Sequence, residues 1–109
     1  MGAELDAAFK ALADPGRRRL LDRLHADNGQ TLSALCAALD KSRQAVSKHL
    51  AVLEGANLIV TIWRGREKLH YLNPVPIHQI AERWIHKFER RRLEAIRELK
   101  KRLEESHEE

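Results

Sequence analysis

The chain has 109 residues, of which 33% are charged and 5% aromatic, and this predicts a single, soluble, mainly helical domain over residues 1–109. No apolar run approaches the ~18 residues of a membrane span, and the first ten residues lack the charged-then-apolar order of a signal peptide. Cys36 is the only cysteine, which excludes an intrachain disulfide. We therefore expect a cytoplasmic protein. The net charge is +4, and residues 41–72 hold the whole excess, with six Lys/Arg against two Asp/Glu, which favours a polyanionic partner for that segment.

Two helices are predicted before residue 28. The first is short and carries one apolar stripe at i, i+3, i+4 and i+7. That stripe consists of Leu5, Ala8, Phe9 and Leu12. Asp14 as N-cap and Pro15 at the first helical position begin a second helix that runs to about Asp27. We interpret most of the arginines at 17–19 as a solvated face paired with nearby acids, and phosphate contact by one of them is the alternative.

The next two helices are predicted to be short and joined by a tight turn. Asn28-Gly29 is a turn after the second helix, and Thr31 caps a third helix that ends near Leu39. Asp40-Lys41 forms the next turn, and Ser42 caps a fourth helix that continues to Leu53. This arrangement predicts a helix-turn-helix at about residues 31–56.

The fourth helix separates apolar residues from polar donors. Val46, Leu50 and Leu53 form its apolar stripe. The polar donors of its first two turns lie mainly off that stripe, and no acid occurs before Glu54. These donors are Ser42, Arg43, Gln44, Ser47 and Lys48. Such a face suits entry into an anionic groove, with the helix N-terminus contacting base edges. An ordinary amphipathic surface helix is the alternative.

A β-hairpin is predicted to follow, at about residues 58–72. Residues 58–63 are rich in β-branched side chains, residues 68–72 form a second strand, and residues 64–67 join them as a four-residue loop with a glycine. Arg64 and Arg66 at its tip, with Lys68, can reach phosphates or a narrow minor groove, which is the role of a wing. The alternative is a charged edge hairpin protected against aggregation.

The last helix is predicted over about residues 74–105. A continuous helix of this length measures ~48 Å at 1.5 Å per residue, which is too long for a domain of this size to cover. We therefore expect the chain to dimerise through its first and last helices. The residues predicted at this contact are Leu5, Phe9, Ile77, Ile80, Trp84, Ile85 and Phe88.

The order of helix, helix, helix-turn-helix, two-stranded wing and long helix resembles the winged-helix repressors of the ArsR/SmtB family. The segments that carry the resemblance are residues 9–24, 32–59 and 65–73, and the pattern from Ser42 to Leu53 is the most telling. The resemblance implies a homodimer that binds operator DNA through its fourth helices and leaves it when a metal or another effector binds. It also implies repression of its own promoter and of a neighbouring gene.

The sequence departs from the metal sites of that family. Arsenic-sensing members open the third helix with thiolates, whereas this chain has Thr31 and Ser33 there, and only Cys36 remains. Hydroxyl groups are poor ligands for a thiophilic metal. Zinc-sensing members carry Asp, His and Glu ligands on the last helix, where this chain places Pro74, Pro76, Lys87 and Arg90. We expect neither metal site and no cofactor, and the effector stays open.

The sequence offers two other candidate sites, a metal site on the last helix and the thiol of Cys36. His78, Glu82 and His86 repeat at i+4 on the last helix. The outer two lie ~12 Å apart, so together they cannot chelate one ion, although neighbours could bind zinc with a partner subunit. Ordinary i,i+4 pairs are the favoured interpretation. Cys36 lies in an apolar stripe, which favours a buried inert thiol over a redox switch.

The sequence thus predicts a sequence-specific regulator of double-stranded DNA, a homodimeric repressor acting at a palindromic operator. The residues predicted to contact DNA are Ser42, Arg43, Gln44, Ser47, Lys48, His49, Arg64, Arg66 and Lys68. The alternative is a protein-interaction module that works through the long last helix without specific DNA binding. An enzyme is disfavoured because the chain has no Gly-rich phosphate loop, and Ser47 and His49 diverge on one helix.

Overall fold

The computed structural model describes residues 2–107, with the side chains of His86, Phe88 and His107 outside the description. Its elements, in chain order, are α1 (Gly2–Leu12), α2 (Pro15–Ala26), α3 (Leu32–Leu39), α4 (Arg43–Gly55), β1 (Ile59–Arg64), β2 (Glu67–Leu72), α5 (Val75–Ile80), a π-helical segment (Ala81–Ile85) and α6 (His86–His107). The predicted class is confirmed, since the chain is mainly helical with one two-stranded antiparallel sheet in the predicted order.

The chain divides between Ile77 and His78 into two compact units. The first unit contains α1 to β2, and the second contains most of the final helical stretch. The single domain predicted over residues 1–109 stays a prediction. None of the described helices is long and apolar enough to cross a membrane.

Side-chain caps begin three helices of the first unit, at the residues predicted for them. Asp14 accepts a hydrogen bond from the Arg17 backbone N–H at 3.0 Å. The Thr31 hydroxyl accepts from Ala34 and the Ser42 hydroxyl from Ala45, each at 3.2 Å. Each cap satisfies one of the backbone N–H groups that a helix start leaves without a partner. Each therefore sets where its helix begins.

Left-handed residues separate α3 from α4 and α4 from the sheet. Asp40 has φ 52°, and Asn57, just after the end of α4, has φ 61°. Asp and Asn tolerate this region better than other residues with a side chain. The tight turn predicted between α3 and α4 is therefore present. It keeps the two helices close together, as in a helix-turn-helix.

Leucines of α2, α3 and α4 form the core of the first unit. Leu20, Leu24, Leu35 and Leu53 are fully buried, and Val46 is 1% exposed. Truncation of one such leucine to alanine commonly costs about 2–5 kcal/mol of stability. The buried stripe of α4 holds the helix against α2 and α3, which leaves its polar face outward.

The hairpin between the strands is tighter than the sequence analysis predicted. Arg64 pairs with Glu67 in the antiparallel register, so the loop is the two-residue Gly65-Arg66 and the predicted four-residue loop is wrong. Gly65 has φ 63°, and a glycine with positive φ at the first central position allows a two-residue turn whose twist matches the strands. Arg64 consequently belongs to β1.

A third short segment pairs with the sheet, which the sequence analysis missed. Gln30 forms an isolated antiparallel bridge with His70 of β2. The His70 N–H donates to the Gln30 carbonyl at 2.9 Å, and the Gly29 N–H donates to the His70 carbonyl at 2.8 Å. Both Gln30 and His70 are buried. This bridge ties the turn before α3 to the wing, and a single paired residue has no periodic pattern that would predict it.

The final helical stretch differs from the predicted single helix. The π-helical segment at Ala81–Ile85 lies between α5 and α6, and α6 continues past Arg92 to His107. Short π-helical turns inside α-helices are rare, and apolar spacing does not predict them. Within the second unit, α6 carries an apolar stripe of four side chains, all of which are more than half exposed. They are Leu93, Ile96, Leu99 and Leu103.

Candidate nucleic-acid interface

The polar donors predicted on α4 lie together on its exposed face. They line one open depression on the surface, and Leu32 of α3 and Ala45 complete it. These donors are Ser42, Arg43, Gln44, Ser47 and Lys48. All five are exposed, and no acid is among the described residues that line the depression. Two cations without an acid beside them make this face suited to a polyanion.

Arg43 is held at the edge of this face by the preceding helix. Its Nη1 donates a hydrogen bond to the Ser33 hydroxyl of α3 at 3.0 Å. A guanidinium carries five N–H donors in a fixed fork, so this bond orients Arg43 and leaves most of its donors available. The positioning of Arg43 by Ser33 could not be read from the sequence, because the two residues lie on different helices.

His49, predicted as a DNA contact, lies on another side of α4. Its Nε2 is 3.8 Å from the Asp14 carboxylate at the start of α2. The side chain is 30% exposed, and it does not line the depression that holds the other α4 donors. His49 therefore lies beside α2 and apart from the other predicted α4 donors, and its contact with DNA stays a prediction.

The wing faces α4 across a cleft of about 580 Å³. Arg66 and Lys68 of the hairpin line this cleft together with Arg43 and Ser47. Lys68 Nζ lies 3.7 Å from the Glu54 carboxylate, so part of its charge is already balanced within the unit. Arg64 does not line the cleft and stays exposed on β1. Of the three predicted wing contacts, Arg66 lines the cleft and forms no ion pair with any described residue, although Glu54 and Glu67 line the cleft as well.

Two of the three arginines at the start of α2 have a structural role that the sequence analysis missed. Arg17 donates through Nε to the Ala11 carbonyl at 2.8 Å and through Nη2 to the Lys10 carbonyl at 3.0 Å. Arg18 Nη1 donates to the Leu12 carbonyl at 2.7 Å. These bonds cap the C-terminal carbonyls of α1, and a cation also suits that end of a helix dipole. The interpretation of both as members of a solvated, acid-paired face is corrected accordingly.

The residues predicted at a dimer contact differ in exposure. Leu5 is only 6% exposed, so it belongs to the core of its own unit and its assignment to a dimer contact is corrected. Phe9 is 44% exposed and Ile77 is 37% exposed in the first unit, and Ile85 is 51% exposed in the second. Ile80 and Trp84 are half-buried. The side chain of Phe88 lies outside the described residues.

The titratable residues of the last helices form an ordinary pair. His78 Nε2 lies 4.0 Å from Glu82 Oε1, and both side chains are well exposed, as favoured for this i,i+4 spacing. The side chain of His86, the third member of the repeat, is outside the described residues. Within the described part of the chain, no three His, Cys, Asp or Glu side chains come together as metal ligands. Cys36 is a free, half-buried thiol.

Comparison with other proteins agrees with this geometry. A family model described as a helix-turn-helix domain matches residues 12–62, which span the helix-turn-helix and most of β1. The chain is 37% identical over 91 residues to YuzN, an uncharacterized HTH-type transcriptional regulator of Bacillus subtilis. The alignment covers 78% of this chain and 99% of that protein.

Solved structures give the same fold. The chain is similar to an ArsR-like transcriptional regulator from Rhodococcus sp. RHA1, with 34% identity, a TM-score of 0.70, and coverage of 89% of this chain and 92% of that one. It shares its fold with the homodimeric winged helix-turn-helix DNA-binding domain of Mb0332 from Mycobacterium bovis, at 20% identity and a TM-score of 0.64, over 80% and 81% of the two chains. The chain belongs to the ArsR family of winged helix-turn-helix transcriptional regulators.

Proposed function

We propose that this regulator is a homodimeric repressor that binds a palindromic operator with one α4 in the major groove of each half-site. The observation that carries the proposal is the exposed, acid-free face of α4, on which Arg43, Gln44 and Lys48 project from the first two turns. The major groove admits one helix and displays a distinct donor and acceptor pattern for each base pair. A helix that presents donors at its N-terminal end suits that groove.

Sequence reading is assigned to the N-terminal turns of α4. Arg43 is the candidate reader of guanine, because a guanidinium can bind O6 and N7 together, and Gln44 is the candidate reader of adenine. Ser47 can bond either a base or a phosphate. Lys48 and the capping residue Ser42 complete the contact at the edge of the groove. His49 is left out of this set because it faces Asp14.

The wing is assigned to the DNA backbone. Arg66, in the turn, is the principal candidate, since it faces the same cleft as Arg43 and Ser47. Arg64 on β1 is a second candidate for phosphate or minor-groove contact. Lys68 contributes less, because Glu54 already pairs with it. Contacts of this kind position a protein on the duplex and carry little sequence information.

A homodimer is supported by two observations. The Mycobacterium bovis neighbour is described as homodimeric, and this chain leaves large apolar side chains exposed at Phe9, Ile77 and Ile85. Two copies related by a two-fold axis read two half-sites about 34 Å apart, or one helical turn, and the operator is then palindromic. A dimer seated on a promoter blocks transcription, and the gene of the regulator itself is the first operator to test.

The experiment is binding of the purified full chain to promoter fragments at physiological salt, followed by footprinting of any preferred fragment. We expect one preferred site with two-fold symmetry. Arg43→Ala is expected to relax the sequence preference by about 1–3 kcal/mol at one base position. Arg66→Ala is expected to weaken binding to all duplexes alike and to reduce the salt slope by about 1.

Arg23→Ala is the matched control, because it removes an exposed arginine of α2 that lines neither the depression nor the cleft. Absence of any preferred fragment would overturn the operator proposal. Loss of binding by Arg23→Ala equal to that of Arg66→Ala would overturn the placement of the wing. A transcription assay on the preferred fragment then separates repression from activation.

One observation favours a second candidate function. The apolar stripe of α6, from Leu93 to Leu103, is exposed along its length in the described chain, and exposed apolar stripes of helices mark protein contacts. As an interaction module, the chain would bind a partner helix and show no salt-dependent binding to duplex DNA. The same titration distinguishes the two functions.

A further inference from the structure

A cavity of about 350 Å³ lies beside the recognition helix, on the side away from the wing cleft. Its walls come from the start of α2, the end of α3, the turn that follows, and α4. Gly16 of α2 lies close to α4, since a Cβ at this position would lie 2.8 Å from His49 Nε2. The volume is within the range of small-molecule sites, at the lower end of about 300–1,000 Å³.

The floor of this cavity is apolar. Pro15, Leu39 and Ala45 supply its accessible apolar surface, whereas Leu20 and Val46, which also line it, are already buried. An inorganic ion has no apolar surface to pack against these side chains. An apolar body placed here removes its own apolar area and that of the accessible side chains from water, at roughly 25 cal/mol per Å². The floor therefore favours an organic ligand.

The rim of the cavity is cationic. Arg19 and Lys41 line it, and neither side chain has a hydrogen bond or an ion pair within the part of the chain that the structure describes. Asp14 is the one acid that lines it. The Asp14 carboxylate accepts the Arg17 N–H at 3.0 Å and lies 3.8 Å from His49. Among the described residues, Arg19 and Lys41 thus have no partner, whereas Asp14 already contacts Arg17 and His49.

We infer that this cavity binds a small organic anion, with a carboxylate between Arg19 and Lys41 and an apolar body against Pro15, Leu39 and Ala45. Charge-assisted hydrogen bonds hold the carboxylate. The ligand touches α4 directly, because Ala45, Val46 and His49 belong to that helix. No three metal ligands come together in the described residues, and this cavity gives the regulator an effector site of a different kind.

Binding here weakens DNA reading, an effect that rests on the proposed function. The carboxylate neutralises Lys41, which directly precedes the capping residue Ser42 of the reading face. A ligand shifts an equilibrium only through a difference in its affinity for two states, and the Lys41 charge supplies that difference, because it cannot serve the carboxylate and a DNA phosphate together. By linkage, DNA weakens the ligand by the same factor.

The binding experiment uses the full chain without DNA, so its outcome is independent of operator binding. Benzoate is the probe, benzamide is its neutral counterpart of the same shape, and inorganic phosphate is an anion without an apolar body. Titrations are followed by calorimetry and by the backbone amide NMR signals of Gly16 and Ala45. We expect saturable binding of benzoate with shifts at both amides, and much weaker binding of benzamide and phosphate.

Variants test the placement of the carboxylate. Arg19→Gln and Lys41→Gln are each expected to weaken benzoate by about tenfold, the change that follows from one charge-assisted hydrogen bond. Arg23→Gln is expected to leave benzoate binding unchanged. Arg23 lies one turn further along the exposed face of α2 and outside the cavity. Thermal unfolding of each variant verifies the fold. Equal binding of benzamide or phosphate, or an equal effect of Arg23→Gln, would overturn the inference.

A second arm separates a free anion from a phosphate of the operator, which offers the same oxygen chemistry. We expect benzoate to weaken binding of the preferred promoter fragment by wild type and to have less effect on Arg19→Gln. Loss of DNA binding by Arg19→Gln and Lys41→Gln without any benzoate binding would assign these cations to the DNA backbone and overturn the inference. Benzoate binding without any change in DNA affinity would overturn the coupling.

Discussion

The Glu54 carboxylate of the recognition helix lies 3.7 Å from the Lys68 ammonium of the wing. The same carboxylate accepts a hydrogen bond from the Thr61 hydroxyl at 3.2 Å. Glu54 thus joins α4 to both strands of the wing. It also places a negative charge in the cleft that contains Arg43 and Arg66, and this charge opposes binding of phosphates there.

Glu54→Gln is expected to strengthen binding to all duplex DNA by a few-fold. The substitution removes one of the two acids, Glu54 and Glu67, that line the cleft, and it releases Lys68 for a phosphate, so the salt slope should steepen by about 0.9 for one added contact. Stability should change little, because a partly exposed pair contributes about 0–1 kcal/mol. Fluorescence anisotropy at several salt concentrations measures both quantities. Glu4→Gln on α1, outside the cleft, is the control, and an unchanged slope for Glu54→Gln would contradict the prediction.

Gly16→Ala is expected to destabilise the first unit. The added Cβ would lie 2.8 Å from His49 Nε2 and 3.0 Å from Asp14 Oδ2, and overpacking of this kind costs about 1–3 kcal/mol. Better helix propensity returns at most about 1 kcal/mol. Chemical denaturation measures the net effect, and His49→Ala in the same chain should relieve part of it. Gly55→Ala, where a Cβ meets nothing within 4 Å, should not destabilise. Equal effects of the two glycine variants would exclude the steric explanation.

Arg17→Ala is expected to lower the free energy of unfolding by about 1–3 kcal/mol, because two hydrogen bonds from a charged group to the end of α1 are lost. For a chain of this size, each kcal/mol lowers the Tm by about 4–8 °C. Thermal unfolding provides the measurement. Arg23→Ala, whose side chain makes no such bond in the described residues, is the comparison. DNA affinity of the folded Arg17 variant should stay unchanged, and its loss would restore the phosphate-contact interpretation.

The Asp14 cap predicts a dependence of stability on acid pH. The Arg17 backbone N–H, with the positive charges of Arg17 and His49, lowers the pKa of the Asp14 carboxyl below its ordinary value of 3.8. A lowered folded-state pKa stabilises the fold at pH values above 3.8, and this contribution is lost as the pH falls through the folded pKa. Asn caps helices as well but does not titrate.

The test is the difference in free energy of unfolding between wild type and Asp14→Asn as a function of pH. It should decrease progressively as the pH falls below 3.8. Asp6→Asn, on α1, is a control without such a cap. A difference that stays constant to the lowest pH would show that the charge of Asp14 does not contribute.

Phe9 and Leu5 should separate assembly from folding. Phe9→Ala is expected to raise the dissociation constant of the proposed dimer, because 44% of this side chain is exposed. Leu5→Ala is expected to lower stability by about 2–5 kcal/mol instead, because Leu5 is buried in its own unit. Analytical ultracentrifugation and denaturation measure the two effects. A stronger effect of Leu5→Ala on assembly of the folded protein would return Leu5 to the interface.

Much of the first unit was determined locally and could be predicted. The caps at Asp14, Thr31 and Ser42 and the buried stripe of α4 follow from short-range rules, because both partners of each interaction lie within one or two helical turns. The same holds for the left-handed Asn57, whose side chain tolerates that conformation. Local periodicity therefore gave the element order and the exposed face of α4, and with them the candidate contacts Arg43 and Lys48.

Contacts between distant segments were decided only by the tertiary structure. The Gln30–His70 bridge, the bond from Arg43 to Ser33, the pairing of Glu54 with Lys68 and the contact of His49 with Asp14 all join different elements. No periodic pattern in the sequence predicts these contacts, because each contact depends on how the buried leucines set the distances between helices. For this protein the sequence by itself determined a helix-turn-helix whose second helix has a basic, exposed face. Packing decided which cations are bound within the protein, such as Lys68 and Arg17, and which remain available to a ligand. Only the folded chain brings a cation and its partner within a few ångströms.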